Sequence, residues 1–302
     1  METTNYRTRA LQLVGSVFII VTVVVCCCGC WTRLDDGTPM VRFSTYPGLY
    51  ESGTTLQLEL SSPKDGTKIF YTLDGSRPTR SSRRYDAPIK LTSTTTVRAI
   101  AYKAPSQSPE RKGTFTFTDT FPEYVLGQEG PAGGSVFYDK KNYDGGWRYM
   151  EAAPQNTEWR NIKWFNGEGY IGRCSGEEIG NGLENTLRFI DFNMGTDYRN
   201  PLAATRCWNL IVQKDGISYR DWFLPSGKEL LELWTVLEDE YPPYDDTLQI
   251  SWYDRTYWSS SEYSDETAGA VRLLDDGVRI DRLRYDYHYK QHDYSVRAIR
   301  MF

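Results

Sequence analysis

YTLDGSRPTRSSRRYDAPIKLTSTTTVRAIAY, residues 71–102, decides the fold of the first half of the chain. Its first residues end a β-branched and aromatic run, Lys68–Leu73, which stops at Asp74-Gly75, a dipeptide suited to a tight reversal. Its last residues, Thr94–Tyr102, supply another strand, with Pro88 and Pro105 standing between elements. Working outward, Leu56, Leu58 and Leu60 alternate with Gln57 and Glu59, the period of a half-buried strand. Gly113–Thr118 adds one more. Fewer than 80 residues of regularly spaced strands predict a small all-β sandwich.

The same stretch resembles the small domain at the C-terminus of chitobiases and β-hexosaminidases. The TLDGSRP turn, the step from Tyr85 to Pro88-Ile89 and the strand Thr95-Thr96-Val97-Arg98-Ala99 follow that family's pattern. The resemblance covers about 45–118 and implies an immunoglobulin-like module. In such enzymes the module accompanies a separate catalytic barrel, and this chain is too short to hold one. The resemblance therefore implies a fold and no glycosidase activity. An acid–base pair made of Asp74 and Asp86 would have to face one cleft. Asp74 sits in a turn dipeptide, where Asp bonds its own backbone, so turn chemistry is the expectation. Arg77, Arg80, Arg83 and Arg84 read as a solvated loop, with anionic lipid or polymer as the other use.

Charge divides the chain. Residues 45–118 hold 11 Lys/Arg against 6 Asp/Glu, a net +5; residues 119–302 hold 20 against 31, a net −11. The seam falls near Asp119-Thr120 and Pro122, after a linker at 31–44. The later half is dense in Trp, Tyr and Gly. Its clearest helix is SGKELLELWTVLEDE, 226–240, where Ser226 caps, Glu229 reaches back, and Leu230, Leu233, Trp234 and Leu237 share a face. Further helices are expected within 183–192 and at Ala203–Val212. Strands are expected at Gly134–Asp139, Trp147–Glu151, Tyr257–Ser260, Ala268–Leu274, Gly277–Arg282 and Ser295–Met301, which makes the class α+β. The fold class of the whole chain is mixed.

GPAGGSVFYDK, GWRYMEAAP, DWFLPSGKELLELW, YWSSSEY and YSVRAIRMF, in that order, resemble a domain of unknown function found at the C-terminus of a collagen-like bacterial adhesin. The resemblance covers about 123–302 and implies a C-type-lectin-like fold, the broad architecture of formylglycine-generating enzymes. The adhesin's domain binds sulfated glycans, but the −11 here opposes a polyanion. Sugar-binding C-type lectins hold calcium on Asn and Asp oxygens after a Trp. Here Trp258 is followed by Ser259, Ser260, Ser261 and Glu262, so calcium is not implied. Asp265, Glu266, Asp275 and Asp276 offer oxygens, two of which a hairpin at Asp276-Gly277 explains without metal. Ser260 lacks a nucleophile elbow. His288 and His292, four apart and near Asp286 and Asp293, make a weak metal signal. No metal or other cofactor is expected.

Aromatic residues crowd the same end: Trp252, Tyr253, Tyr257, Trp258, Tyr263, Tyr285, Tyr287 and Tyr289. Sugars pack C–H faces on rings while Arg, Glu and Ser bond hydroxyls, and protein interfaces enrich the same residues. The expected ligand-binding surface is Trp258, Ser260, Glu262, Arg272, Tyr285, Tyr287 and His288; the bland reading makes most of these rings framework.

The N-terminus gives the compartment. Arg7 and Arg9 precede an uncharged run, Leu11–Cys28, and Gly29-Cys30 closes it. A basic start, an apolar core and a small-residue exit make a secretory signal, and the cysteine after it resembles a lipobox with Cys30 as the lipidated residue. The run is also long enough for an uncleaved membrane anchor. Either way the rest of the chain lies outside the cytoplasm of a bacterial cell. Cys174 and Cys207 would then meet oxidising conditions. They either pair, worth roughly 3–4 kcal/mol in the entropic account, or stay as buried thiols.

The expected protein is an exported, membrane-anchored, non-catalytic binding protein for a glycan or an envelope protein. The alternatives are an envelope enzyme acting on glycans or peptidoglycan, and a structural module of an envelope assembly. A net charge of −5 gives no footprint for nucleic acid.

Overall fold

Two sheets close over Leu58, Leu60, Ile89 and Leu91 from one side and Ile69, Tyr71, Val97, Ala99 and Phe115 from the other, all buried. The computed structural model describes residues 39–302 apart from 167–169, 173, 194–200, 238–255 and 274–282, and the backbone alone of Leu283 and Arg284. Cys30, the apolar run before it, the expected strand at 277–282, Trp252, Tyr253 and the acidic turn at 275–276 lie outside the described residues. Among the described residues no helix is long and apolar enough to cross a membrane.

The sandwich is built from β1 (Arg42–Phe43), β2 (Leu49–Glu51), β3 (Leu56–Leu58), β4 (Leu60–Ser61), β5 (Lys68–Thr72), β6 (Arg83–Arg84), β7 (Ile89–Leu91), β8 (Thr95–Lys103), β9 (Ser106–Gln107) and β10 (Arg111–Thr118). One layer runs β2-β10-β8-β5-β6, with β9 folded onto β8; the pairs β1-β4 and β3-β7 make the other. The alternation at 56–60 is real but broken at Glu59, so Leu58 and Leu60 belong to different short strands. Asp74 does what a turn Asp does: its Oδ1 accepts from the Ser76 amide at 2.9 Å and from the Ser76 hydroxyl at 2.6 Å. In the basic loop, Arg80 lies over the Tyr102 ring at 4.6 Å and Arg83 over Tyr71 at 5.6 Å.

The second part contains β11 (Ser135–Asp139), β12 (Tyr149–Ala152), β13 (Trp159–Lys163), α1 (Asn181–Asn193), α2 (Ala203–Trp208), β14 (Val212–Lys214), β15 (Ile217–Tyr219) and α3 (Gly227–Leu237). It ends with β16 (Thr256–Glu262), β17 (Thr267–Leu273), β18 (Leu283–Tyr289), β19 (Asp293–Val296) and β20 (Ile299–Met301). Three sheets run β11-β12-β20, β13-β19-β16-β17-β18 and β14-β15. The capping box before α3 forms as its spacing demands: Ser226 Oγ accepts from the Glu229 amide at 3.3 Å, and Glu229 Oε2 accepts from the Ser226 amide at 2.7 Å. Leu230, Leu233, Trp234 and Leu237 are all buried against Tyr257, Val271 and Ile299. The expected helix at 203–212 stops at Trp208, and Val212 opens a hairpin instead. The closing run divides into β19 and β20.

Residues 39–44 do not behave as a linker. Met40 and Val41 are 7% and 1% exposed, and β1 pairs with β4. From this segment Arg42 reaches α1, donating to Glu184 at 3.1 Å and to Asp191. Tyr46 donates to the Met301 carbonyl at 2.7 Å and to Asp221 at 3.0 Å. Arg300 holds the same Asp221 and also Glu151, which accepts the Ala132 and Gly134 amides. Gly48 passes so close to the Gly146 carbonyl that a β-carbon has no room. These contacts fuse the sandwich and the second part, over the described residues from 39 to 302, into one compact unit.

Candidate ligand-binding face

Tyrosines stand at every second residue of β18, so Tyr285, Tyr287 and Tyr289 share one side of the strand. β17 pairs with β18 antiparallel, with Gly269 opposite Tyr287 and Val271 opposite Tyr285. Tyr285 is half-buried. Its ring lies where side chains on Gly227 and Gly269 would be; a β-carbon on Gly269 would run into the Tyr285 hydroxyl. Tyr287 is 38% exposed and stacks on Tyr263, itself 62% exposed, with ring centroids 4.0 Å apart and planes 22° from parallel. Tyr285 meets Tyr287 edge to face at 5.7 Å.

Glu177 completes the face. Its Oε1 accepts from the Tyr287 hydroxyl at 3.0 Å and from Tyr285 at 3.2 Å. Burial and the Glu177 carboxylate push the Tyr287 phenol up from its ordinary value. Burial does the same to Tyr285, against hydrogen bonds from Ser259 and Ser261 that lower it. Both hydroxyls therefore stay protonated donors across the physiological range. The arrangement offers the outer faces of a stacked ring pair beside a half-buried carboxylate, which suits adsorption of a small flat ligand.

The residues expected to bind divide sharply by burial. Tyr285 and Tyr287 lie on the face. Trp258 is fully buried, donates from Nε1 to the Ile162 carbonyl at 2.8 Å and packs on Tyr294 at 4.7 Å. Ser260 is 3% exposed, accepts from the Asn185 amide and donates its backbone N–H to the Pro225 carbonyl. Glu262 is bound at 2.7 Å by Lys290 and accepts the Ile171 and Gly172 amides, each at 2.8 Å. These three are interior framework, because β16 is a central strand and all seven of its residues are buried. Arg272 is half-buried on β17, opposite Arg284. His288 lies on the other side of β18, its Nδ1 at 2.8 Å from the Tyr294 hydroxyl, which also meets His292 Nδ1 at 3.0 Å. The two histidines meet across a turn between strands, which their four-residue spacing does not announce.

Cys174 and Cys207 are separate buried thiols, the second of the two alternatives the sequence leaves open. Cys174 donates to the Asn185 carbonyl at 3.4 Å, and burial raises it to about 12; burial also raises Cys207. Neither is an activated nucleophile. A cavity of about 380 Å³ between the sandwich and α1 does contain two carboxylates, Glu184 and Asp191. Burial pushes Asp191 up, but the Arg42 guanidinium donates to both, so they form an ionic clasp. Glu177 and Tyr263 complete the face but were not among the expected ligand contacts. Tyr263 belongs to the aromatic crowd visible in sequence, whereas Glu177 stands 110 residues from Tyr287 with no local signal.

Residues 45–112 match the family model of the chitobiase/beta-hexosaminidase C-terminal domain, the segment that forms most of the sandwich. No curated protein matches the chain. Among solved structures, a fimbrial protein from Bacteroides ovatus aligns with 88% of this chain and 71% of its own, at 11% identity and a TM-score of 0.38. That score is too low to equate the two architectures.

Proposed function

We propose that the protein is an exported, non-catalytic binding protein of the bacterial envelope, held at the membrane through its N-terminal segment and Cys30. Its α+β part is a lectin-like domain, and the Tyr263–Tyr287 stack with Tyr285 and Glu177 is where it takes a saccharide. The single observation that carries this reading is the exposed, near-parallel ring stack. Sugar C–H faces pack on such surfaces, and a fixed carboxylate orients them through hydroxyls. An enzymatic role gains no support from the Arg42-clasped pair, since both carboxylates already serve an ion bridge.

The test is a glycan array probed with the full chain in detergent, alongside Tyr263→Ala and Tyr287→Ala. Saturable capture of one glycan class, weakened at least about tenfold by either substitution, is the expected result. Capture that survives both substitutions in folded protein removes this face from the function.

A further inference from the structure

We infer that this face selects a saccharide carrying a protonated primary amine, an unacetylated amino sugar, with the ammonium seated on Glu177; the inference rests on the saccharide reading above. The first ground is the state of the Glu177 carboxylate. Three glutamates nearby have cationic partners: Glu178 has Lys228 at 2.6 Å, Glu262 has Lys290 at 2.7 Å, and Glu184 has Arg42 and Arg188. Among the described residues no cation pairs with Glu177. The Lys228 backbone N–H donates to the Glu177 carbonyl, but its ammonium is turned to both oxygens of Glu178.

The second ground is geometric. Tyr285 and Tyr287 both spend their hydroxyl protons on Oε1, which leaves Oε2 as the acceptor for an incoming donor. A half-buried carboxylate with one oxygen satisfied by neutral phenols accepts most strongly from a charged donor. The third ground is the rings themselves. The outer π faces of the Tyr263–Tyr287 stack attract a cation placed over them, and the Tyr287 ring is tied to that carboxylate through its hydroxyl. A neutral sugar would use the stack and leave the charge unanswered. A sulfated one would meet repulsion, both from Glu177 and from the −11 carried by residues 119–302. A lysine side chain offers the same ammonium, but a sugar ring also offers a flat C–H surface to pack on the outer face of the stack.

Calorimetric titration of the full chain with a glucosamine hexasaccharide, an N-acetylglucosamine hexasaccharide and a lysine-containing hexapeptide separates the outcomes. At about pH 6 the glucosamine oligomer should bind at least about tenfold tighter than its acetylated counterpart, the effect of one charge-assisted contact. That preference should shrink at about pH 9, above the titration of an ordinary amine of this type. It should also vanish in Glu177→Gln, whose amide oxygen still accepts from both phenols and keeps the face folded. Equal or tighter binding of the acetylated oligomer overturns the amine while the saccharide reading stands. Silence toward both oligomers overturns the saccharide reading and this inference with it. Tighter binding of the peptide than of either oligomer assigns the face to a basic protein partner and overturns the amino sugar.

Discussion

Replacing Lys290 by Met is the sharpest probe of how the sheet beneath the binding face is held. Lys290 and Glu262 have side chains 1% and 0% exposed, joined at 2.7 Å. The ammonium also donates to the Asp265 carbonyl at 2.9 Å and lies 5.0 Å from the Trp164 ring centre. Burial lowers the Lys290 ammonium from its ordinary value and Glu262 opposes that shift, as expected for a charge sustained by its partner. Methionine keeps the stem and removes the charge. Among the described residues Glu262 then keeps only the Ile171 and Gly172 amides as side-chain partners, and the Asp265 carbonyl loses a donor. Breaking one side of a buried pair costs about 3–5 kcal/mol. With a denaturant slope of about 3 kcal/mol per molar, the urea midpoint should fall by more than about 1 M. Adding Glu262→Gln removes the orphaned charge and should restore about 1–2 kcal/mol of that loss, the desolvation share of one buried group. Urea unfolding followed by tryptophan fluorescence measures all four corners of the cycle. A Lys290→Met protein within about 1 kcal/mol of the parent would show that water reaches Glu262, and the account of β16 as sealed framework would fail.

Two further outcomes follow from named groups. Glu229 is enclosed, and burial raises it to about 7 against the Ser226, Gly180 and Gly182 amides that lower it. The folded state therefore holds a proton that the unfolded state releases, so this contribution to stability is complete below about pH 4.5 and lost as pH rises through about 7. The loss is on the order of 3 kcal/mol, and it should disappear from the pH dependence of Glu229→Gln; parallel curves for the two proteins in urea would refute it. Gly269→Ala drives a methyl into the Tyr285 hydroxyl and the Ser259 side chain. It should cost about 1–3 kcal/mol in a thermal melt and weaken ligand capture, and an unchanged melting temperature would mean that Tyr285 is not held as described.

Much of the architecture was readable because its signals are local. The Asp74-Gly75 reversal and the β-branched runs around it mark β5 and β8, and the Ser226–Glu229 spacing marks the start of α3. Each needs only a few neighbouring residues. Within the expected linker, residues 39–44 carry β1, which at two residues is too short for any period to show. β16 misled for a different reason. Thr-Tyr-Trp-Ser-Ser-Ser-Glu looks like an exposed polar and aromatic strand, yet β17 and β19 flank it. Its hydroxyls serve buried backbone, Ser259 donating to the Gly269 carbonyl at 2.9 Å and Ser261 to Gly176 at 2.8 Å. Small hydroxyls can satisfy an interior as well as a surface, and only the neighbours decide which. In β18 the strand signal was present, tyrosine at 285, 287 and 289, but it was read as aromatic density alone.

The binding face itself is a case of long-range assembly on short-range rules. Alternation along β18 points Tyr285 and Tyr287 the same way, and two glycines far apart in sequence, Gly227 and Gly269, open the space that seats Tyr285. Once Tyr285 is seated, its hydroxyl meets Glu177, and Tyr287 shares that acceptor and stacks on Tyr263. Each ring is thereby held by hydrogen bond, stack or close packing before any ligand arrives. Tyrosine has few rotamers to lose, so a platform fixed in this way costs little entropy on binding. That is why changes at the seat, Gly269 or Tyr285, should weaken capture even though the exposed surface belongs to Tyr263 and Tyr287.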